Sequence, residues 1–253
     1  MATPLPEKIQ TAVVTGGARG FGAEVCRALH KDGFRVIITD VDPGTDAAAL
    51  VSELDLSGDT AMTATLDVSK PDDWQRVLDE CVLRYGSVEV LVNNAARTKA
   101  EPVMDIDPAV FNDIMAVNAG GTFTGCQTFG RHFKERKYGR IINMASLAGQ
   151  NGGTATGAHY AASKGAILTL TKIFARDLAP FNITCNAIAP GPMDTPMVRA
   201  VLGDNIDKAI ANIPVGQLGN PVVVAELVAM LAAPRSAFVN GACWDVNGGL
   251  FMR

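Results

Sequence analysis

The chain has 253 residues, of which 48% are hydrophobic and 19% charged. That length and apolar content suit a folded core and exclude a disordered or collagen-like polymer. With 22 basic against 26 acidic residues, a net charge of −4 and no long basic run, the electrostatic footprint of a nucleic-acid binder is missing, and no 18-residue apolar stretch exists to span a bilayer.

In chain order, short β-branched runs alternate with longer helical patterns. Strands are expected at 12–15, 34–39, 61–66, 88–92, 140–144, 183–188 and 243–246. Several are continuous apolar runs, such as Val36-Ile37-Ile38 and Val90-Leu91-Val92, as strands buried on two faces require. Helices are expected at 22–32, 46–54, 72–84, 108–134, 158–178 and 221–231, some opened by proline and acidic residues as in Lys70-Pro71-Asp72-Asp73. The alternation predicts an α/β fold, a doubly wound seven-stranded parallel sheet with helices on both faces. No linker or repeat divides the chain, so one domain over 1–253 is expected, with a small substrate-loop region at about 190–213. The basic run Arg131-His132-Phe133-Lys134-Glu135-Arg136-Lys137 closes a helix, where cations complement the partial negative charge of its end.

Five cysteines, Cys26, Cys81, Cys126, Cys185 and Cys243, are odd in number, far apart and without a Cys-x-x-Cys pair. Reduced thiols in a cytoplasmic protein are the expectation, and residues 1–8 lack the apolar core of a signal peptide. His30, His132 and His159 lack ligand spacing, so no metal site is expected.

Directly after the first strand, Thr15-Gly16-Gly17-Ala18-Arg19-Gly20-Phe21-Gly22 leads into a helix. Glycines there permit a tight turn and close approach of backbone to a pyrophosphate, and the helix N-terminus offers unpaired N–H groups to the anion. The second strand ends in Asp40, 18 residues beyond Gly22. Dinucleotide folds place their ribose-binding acid about 20 residues on. A carboxylate accepts hydrogen bonds from both ribose hydroxyls and repels a 2′-phosphate, so NAD is favoured; Arg19 pulls toward NADP, which stays possible. The plainer alternative makes Asp40 the start of a turn with Asp42 and Pro43.

Tyr160 and Lys164 stand one helical turn apart on one face, so an ammonium can draw the phenol down from its ordinary pKa near 10 and make it a usable acid and base. Ser146 follows the strand Ile141-Ile142-Asn143-Met144, at the carboxyl edge where such sheets bind ligands, and its hydroxyl can donate to a carbonyl oxygen. Asn118 lies inside an expected helix beside Gly120-Gly121, all poor helix formers, which predicts a local disruption there. Segment 147–159 and the stretch after Pro190, with Met193, Pro196, Met197, Val198, Val201 and Leu202, are expected to shape a substrate pocket. Those methionines serve equally as core packing. Ser146, Gln150, His159, Met193 and Met197 are the candidate substrate contacts.

Together these motifs resemble the short-chain dehydrogenase/reductase family over essentially the whole chain. Its Thr-Gly-x-x-x-Gly-x-Gly turn matches Thr15, Gly16, Gly20 and Gly22, and its Asn-Asn-Ala-Gly element matches Asn93-Asn94-Ala95-Ala96, with alanine where glycine is usual. Its tetrad falls on Asn118, Ser146, Tyr160 and Lys164, and its Pro-Gly segment on Pro190-Gly191. The resemblance implies an NAD(P)-binding Rossmann fold in which Tyr160 is the acid or base and Ser146 polarises the substrate oxygen. Lys164 would lower the tyrosine pKa and bind the nicotinamide ribose, and Asn118 would hold a relay water. By the same resemblance Asp67 and Val68 flank adenine, Asn93 and Ala95 line the cleft, and Ile188 and Thr195 approach the nicotinamide.

The function these readings favour is an NAD-dependent oxidoreductase that interconverts a secondary alcohol and a ketone, on a small or medium, largely uncharged molecule. The segment 245–252 is similar to members that reduce 3-oxoacyl groups on acyl carrier protein, which gives the alternative of an NADPH-dependent 3-oxoacyl reductase. Asp40, and the absence of positive charge in Ala179-Pro180-Phe181, weigh against it. A non-catalytic dinucleotide sensor is the remote third reading. A homotetramer or homodimer through helices 108–134 and 158–178 is what the resemblance implies.

Overall fold

The computed structural model describes residues 9–153, 156–195, 198–199 and 203–253. Met197, Pro196, Val201 and Leu202 lie outside the described residues. Seven parallel strands run β1 (Thr11–Thr15), β2 (Arg35–Asp40), β3 (Ala61–Thr65), β4 (Val90–Asn93), β5 (Gly139–Met144), β6 (Ile183–Pro190) and β7 (Cys243–Val246). They form one sheet in the order β3-β2-β1-β4-β5-β6-β7. The order reverses between β1 and β4, which opens a crevice at their carboxyl ends.

The helices include α1 (Gly20–Lys31), α2 (Gly44–Leu54), α3 (Pro71–Tyr85), α4 (Pro108–Met115), α5 (Gly121–Arg136), α6 (Ala148–Asn151), α7 (Ala158–Leu178), α8 (Ile206–Ala211) and α9 (Pro221–Ala232). Strand periodicity divides the core in two. Val14, Ile38, Val92 and Ile142 pack on one face with Val25 and Leu29 of α1 and Val224 and Val228 of α9. Their neighbours Val13, Ile37, Leu91 and Ile141 pack on the other with Trp74 of α3, Phe129 and Phe133 of α5 and Ala175 of α7. Successive side chains of a strand point to opposite faces, so both halves of each apolar run are consumed.

Helix starts follow the local chemistry. Pro71 opens α3 with Asp72 and Asp73 in its first turn, and the Asp107 and Asn220 side chains accept from the Ala109 and Val222 N–H groups to cap α4 and α9. The expected helix 108–134 is not continuous. A π-helical turn over Ala116–Gly120 separates α4 from α5, and α5 runs on to Arg136. Crowding adds to the poor helix propensity of this sequence, since a Cβ at Gly121 would lie 2.9 Å from Val68 Cγ2. The short α6 and α8 were not foreseen. Among the described residues no helix is long and apolar enough to cross a membrane, and no group of three or more His, Cys, Asp or Glu is placed to hold a metal ion.

Candidate active site

The turn between β1 and α1 lies at the reversal point. Gly16 has φ +61°, and a Cβ there would stand 3.0 Å from Ala95 Cα, so glycine is required both for the conformation and for the approach of the Asn94-Ala95 backbone. A Cβ on Gly22 would run into the Gly16 carbonyl. The Thr15 hydroxyl accepts from the Asn94 and Ala95 N–H groups, both at 3.0 Å, while Asn94 Nδ2 donates to Thr15 O at 2.9 Å and Gly16 O at 3.0 Å. These four bonds close the end of β4 onto the glycine turn.

A cavity of about 520 Å³ opens over this junction. Gly16, Arg19, Gly20, Phe21, Gly22, Asp40, Asp67, Val68 and Ala95 all line it. So does Ala96, whose exposed methyl lies on the cavity wall. Arg19 lies 3.9 Å from Asp46 of α2, and among the described residues no cation pairs with Asp40. The Asp67 carboxylate accepts from the Ser69 hydroxyl and N–H, and the Ser69 hydroxyl above all holds its pKa below the ordinary carboxylate range. The cavity, the cradle that a Cβ would fill and the free Asp40 carboxylate fit a dinucleotide.

Asn93 is not on the cavity wall. It is buried, donating from Nδ2 to Asn143 Oδ1 at 2.8 Å, its register partner on β5, and Asn94 takes the lining position. The physical reason is parity: Asn93 shares the strand face of Leu91, which points into the α3/α5/α7 layer. Asn143 in turn donates to Thr171 Oγ1 of α7 at 3.0 Å. Ile188 is likewise fully buried in the core, with its carbonyl accepting from Ala145 N–H. Pro190 ends β6 and its carbonyl accepts from Leu147 N–H, while a Cβ on Gly191 would lie 2.9 Å from Asn247 Cα.

Ser146 stands just past β5, and Tyr160 and Lys164 lie in the first two turns of α7. The Tyr160 phenol is pushed above its ordinary value by burial, and hydrogen bonding to Ser146 pulls it partly back. The net direction is upward, opposite to the lowering that the spacing to Lys164 predicts. Lys164 Nζ sits 5.6 Å from the Tyr160 ring centroid and donates to Met144 O at 2.6 Å, and burial brings its pKa down to about 8.

Asn118 is fully buried in the π-helical turn. Its Oδ1 accepts from Arg97 N–H at 2.8 Å, and its Nδ2 donates to Arg97 O and to Ser163 Oγ, both at 2.9 Å. Ser163 donates onward to Tyr160 O at 2.7 Å. The amide therefore ties the loop after β4 to α7. Ser163 was missed in the sequence, where its only signal was its position beside Lys164.

Two expected substrate contacts are placed elsewhere. Met193 is buried in the core against Gly219, so its thioether is packing. His159 is fully buried and faces Glu101. Gln150 donates from Nε2 to Asp245 Oδ1 at 2.5 Å, and Asp245 is also gripped by Arg253 at 2.9 Å. Thr195 accepts from Val198 N–H through its hydroxyl.

A family model described as enoyl-(acyl carrier protein) reductase matches residues 16–251. The chain belongs to the short-chain dehydrogenase/reductase family. It is an NAD(P)-dependent oxidoreductase of this family, acting on CH–OH and C=O groups. Among curated relatives it is 34% identical to the 3-oxoacyl-acyl-carrier-protein reductase FabG of Vibrio cholerae serotype O1, across 96% of this chain and 98% of the relative. It is 34% identical to the enzyme of that name from Escherichia coli K12, across 95% and 97%. An uncharacterized oxidoreductase of Mycobacterium tuberculosis CDC 1551 is 33% identical across 96% and 97%.

Proposed function

We propose that this short-chain dehydrogenase/reductase reduces the 3-oxo group of an acyl thioester with NADH as reductant, using Asn118, Ser146, Tyr160 and Lys164. The observation that carries the substrate class is the end-to-end similarity to reductases named for 3-oxoacyl groups, which moves that reading ahead of a simple secondary-alcohol dehydrogenase. The choice of NADH rests on Asp40, a carboxylate on the cavity wall that pairs with no cation among the described residues, while Arg19 faces Asp46.

The cavity-lining glycine turn would hold the pyrophosphate, Asp40 the adenosine ribose, and Asp67 and Val68 the adenine, with Lys164, Pro190, Gly191 and Thr195 toward the nicotinamide end. When bound, NADH supplies the hydride. Ser146 Oγ donates a hydrogen bond to the substrate carbonyl oxygen, and Tyr160 Oη delivers the proton that turns this oxygen into the product hydroxyl. Its raised pKa suits it to arrive protonated. The Lys164 ammonium supplies positive charge beneath Tyr160 as the phenolate forms. Asn118 fixes the frame, with Ser163 joining it to the Tyr160 carbonyl.

A second reading, a small uncharged ketone as substrate, is favoured by the charge around the site. Arg97 pairs with Asp113, Lys99 with Glu101, Arg199 with Asp194 and Arg253 with Asp245. An acidic carrier docks on unpaired cations, which these four are not. For self-association, exposed Phe123 on α5 and Ile173 on α7 support a homodimer or homotetramer through those helices. The buried, unpaired Cys26, Cys81, Cys126 and Cys185 support a cytoplasmic setting.

The test is NADH and NADPH oxidation with acetoacetyl-coenzyme A, the same acyl group on acyl carrier protein, and a panel of uncharged ketones. Turnover of the thioester with NADH is expected. Turnover of ketones alone would favour the second reading, and none with any substrate in either direction would favour a sensor.

A further inference from the structure

The first turn of α7 carries Tyr160, and helix N-termini have N–H groups without intrahelical partners. The residue preceding α7 is Gly157, which has no side chain to cap them. Tyr160 N–H instead donates both to Gly157 O, at 3.1 Å, and to His159 Nδ1, at 2.8 Å. An accepting Nδ1 puts the imidazole proton on Nε2. Among the described residues that atom is buried without a hydrogen-bond partner, and it lies 3.7 Å from Glu101 Oε2, likewise buried and unpartnered. The other carboxylate oxygen of Glu101 takes Lys99 Nζ at 2.7 Å.

The surroundings confine the ring. Gly157 N–H donates to Lys99 O at 3.1 Å, and a Cβ on Gly157 would collide with the imidazole and lie 2.7 Å from that carbonyl. Lys99 first, and more weakly His159, hold the Glu101 carboxyl below the ordinary range, so it faces the imidazole as an anion. The segment 97–101 thus meets the π-helical turn and the start of α7 at every second residue: Arg97 and Lys99 bond to Asn118 and Gly157, and Glu101 Oε2 stands 3.7 Å from His159 Nε2. Its upstream neighbours Asn94 to Arg97 wall the cavity.

We infer that His159 and Glu101 are a positioning pair for Tyr160, an imidazole bonded to the Tyr160 backbone and packed against the Glu101 carboxylate so that the start of α7 and the cavity wall keep one spacing. This rests on Tyr160 being the acid and base. A misplacement of about 1 Å can cost on the order of 100-fold in rate. The pair acts on the proton-transfer geometry and leaves the adenosine end of the cavity, over 40 and 67–68, untouched.

The test compares His159→Leu, His159→Asn, Glu101→Ala and the Leu/Ala double variant, reading kcat and the NADH KM separately. His159→Leu removes both contacts and is expected to lower kcat by about 10- to 100-fold with the NADH KM within about twofold. His159→Asn keeps an acceptor where Nδ1 was and should recover most of that loss. Glu101→Ala should lower kcat by about 3- to 10-fold, and the double variant should fall no further than His159→Leu, as members of one network do. Losses that multiply, a KM rise matching the kcat fall, or single variants within about twofold of the parent would overturn the inference. If His159→Leu does not fold, Glu101→Ala and His159→Asn decide the matter alone. Tyr160→Phe run alongside separates the two failures: inert pair variants with a dead Tyr160→Phe reject the pair only, whereas an active Tyr160→Phe rejects the assignment beneath it.

Discussion

Lys164 Nζ donates to the Met144 carbonyl at 2.6 Å, and this bond joins α7 to the end of β5, two residues before Ser146. The ammonium is buried there with one carbonyl and, among the described residues, no carboxylate as partner, a costly arrangement that the proposed function accounts for.

The cost has a sign. Folding lowers the Lys164 pKa from 10.5 to about 8, so below about pH 8 the folded state carries the whole penalty of a buried cation, and above the unfolded value it carries none. Lys164→Met should therefore raise stability at pH 7 by about 2 kcal/mol, the desolvation gain less one hydrogen bond, or several degrees in Tm. The advantage over the parent should shrink as the pH rises toward 10. Thermal unfolding of both proteins across that range checks it, and a destabilised Lys164→Met at pH 7 would contradict it.

Activity should show the same group. The buried phenol stays protonated through the mildly alkaline range, so Lys164 is the first member of the tetrad to change charge as the pH rises. For reduction, kcat/KM is expected to be level at neutral pH and to fall as Lys164 loses its proton near pH 8. A profile flat to pH 10 would show that the ammonium is not needed.

Cofactor choice should follow Asp40. Asp40→Ser removes the carboxylate that repels a 2′-phosphate, and the ratio of kcat/KM for NADPH over NADH should rise by at least about tenfold, some 1.4 kcal/mol. Adding Asp46→Ala frees Arg19 from its 3.9 Å neighbour and should push the ratio further. An unchanged ratio in both variants would remove Asp40 from the adenosine site.

Gly22→Ala places a methyl against the Gly16 carbonyl, where only backbone could yield. The expected outcome is a loss of NADH affinity by about 100-fold or more, or a destabilisation above about 2 kcal/mol, read by titration and thermal shift. Parent-like values for both would mean that the turn adopts another conformation.

Most of the fold was legible because strands buried on both faces need continuous apolar runs, and β1, β2, β4 and β5 are such runs. The glycine turn and the Tyr160/Lys164 spacing were legible because both follow from backbone geometry. Side-chain direction was not. Asn93 and Asn94 read alike as letters, yet strand parity sends Asn93 into the core and leaves Asn94 on the cavity. Met193 and His159 sit in segments that read as pocket walls, and tertiary packing against Gly219 and Glu101 decided otherwise. Asn118 announced a break in its helix, but not that its amide would bind Arg97 and Ser163. Lys164 was read as a neighbour that acidifies Tyr160, because spacing alone carries no information about the Met144 carbonyl or about desolvation.

The central claim is that Tyr160 moves a proton beside the dinucleotide without holding it. Tyr160→Phe with NADH, measured by binding titration and by turnover of the best substrate, tests this most directly. The account predicts an NADH Kd within about threefold of the parent and turnover lower by about 1000-fold. Turnover within tenfold of the parent would contradict it.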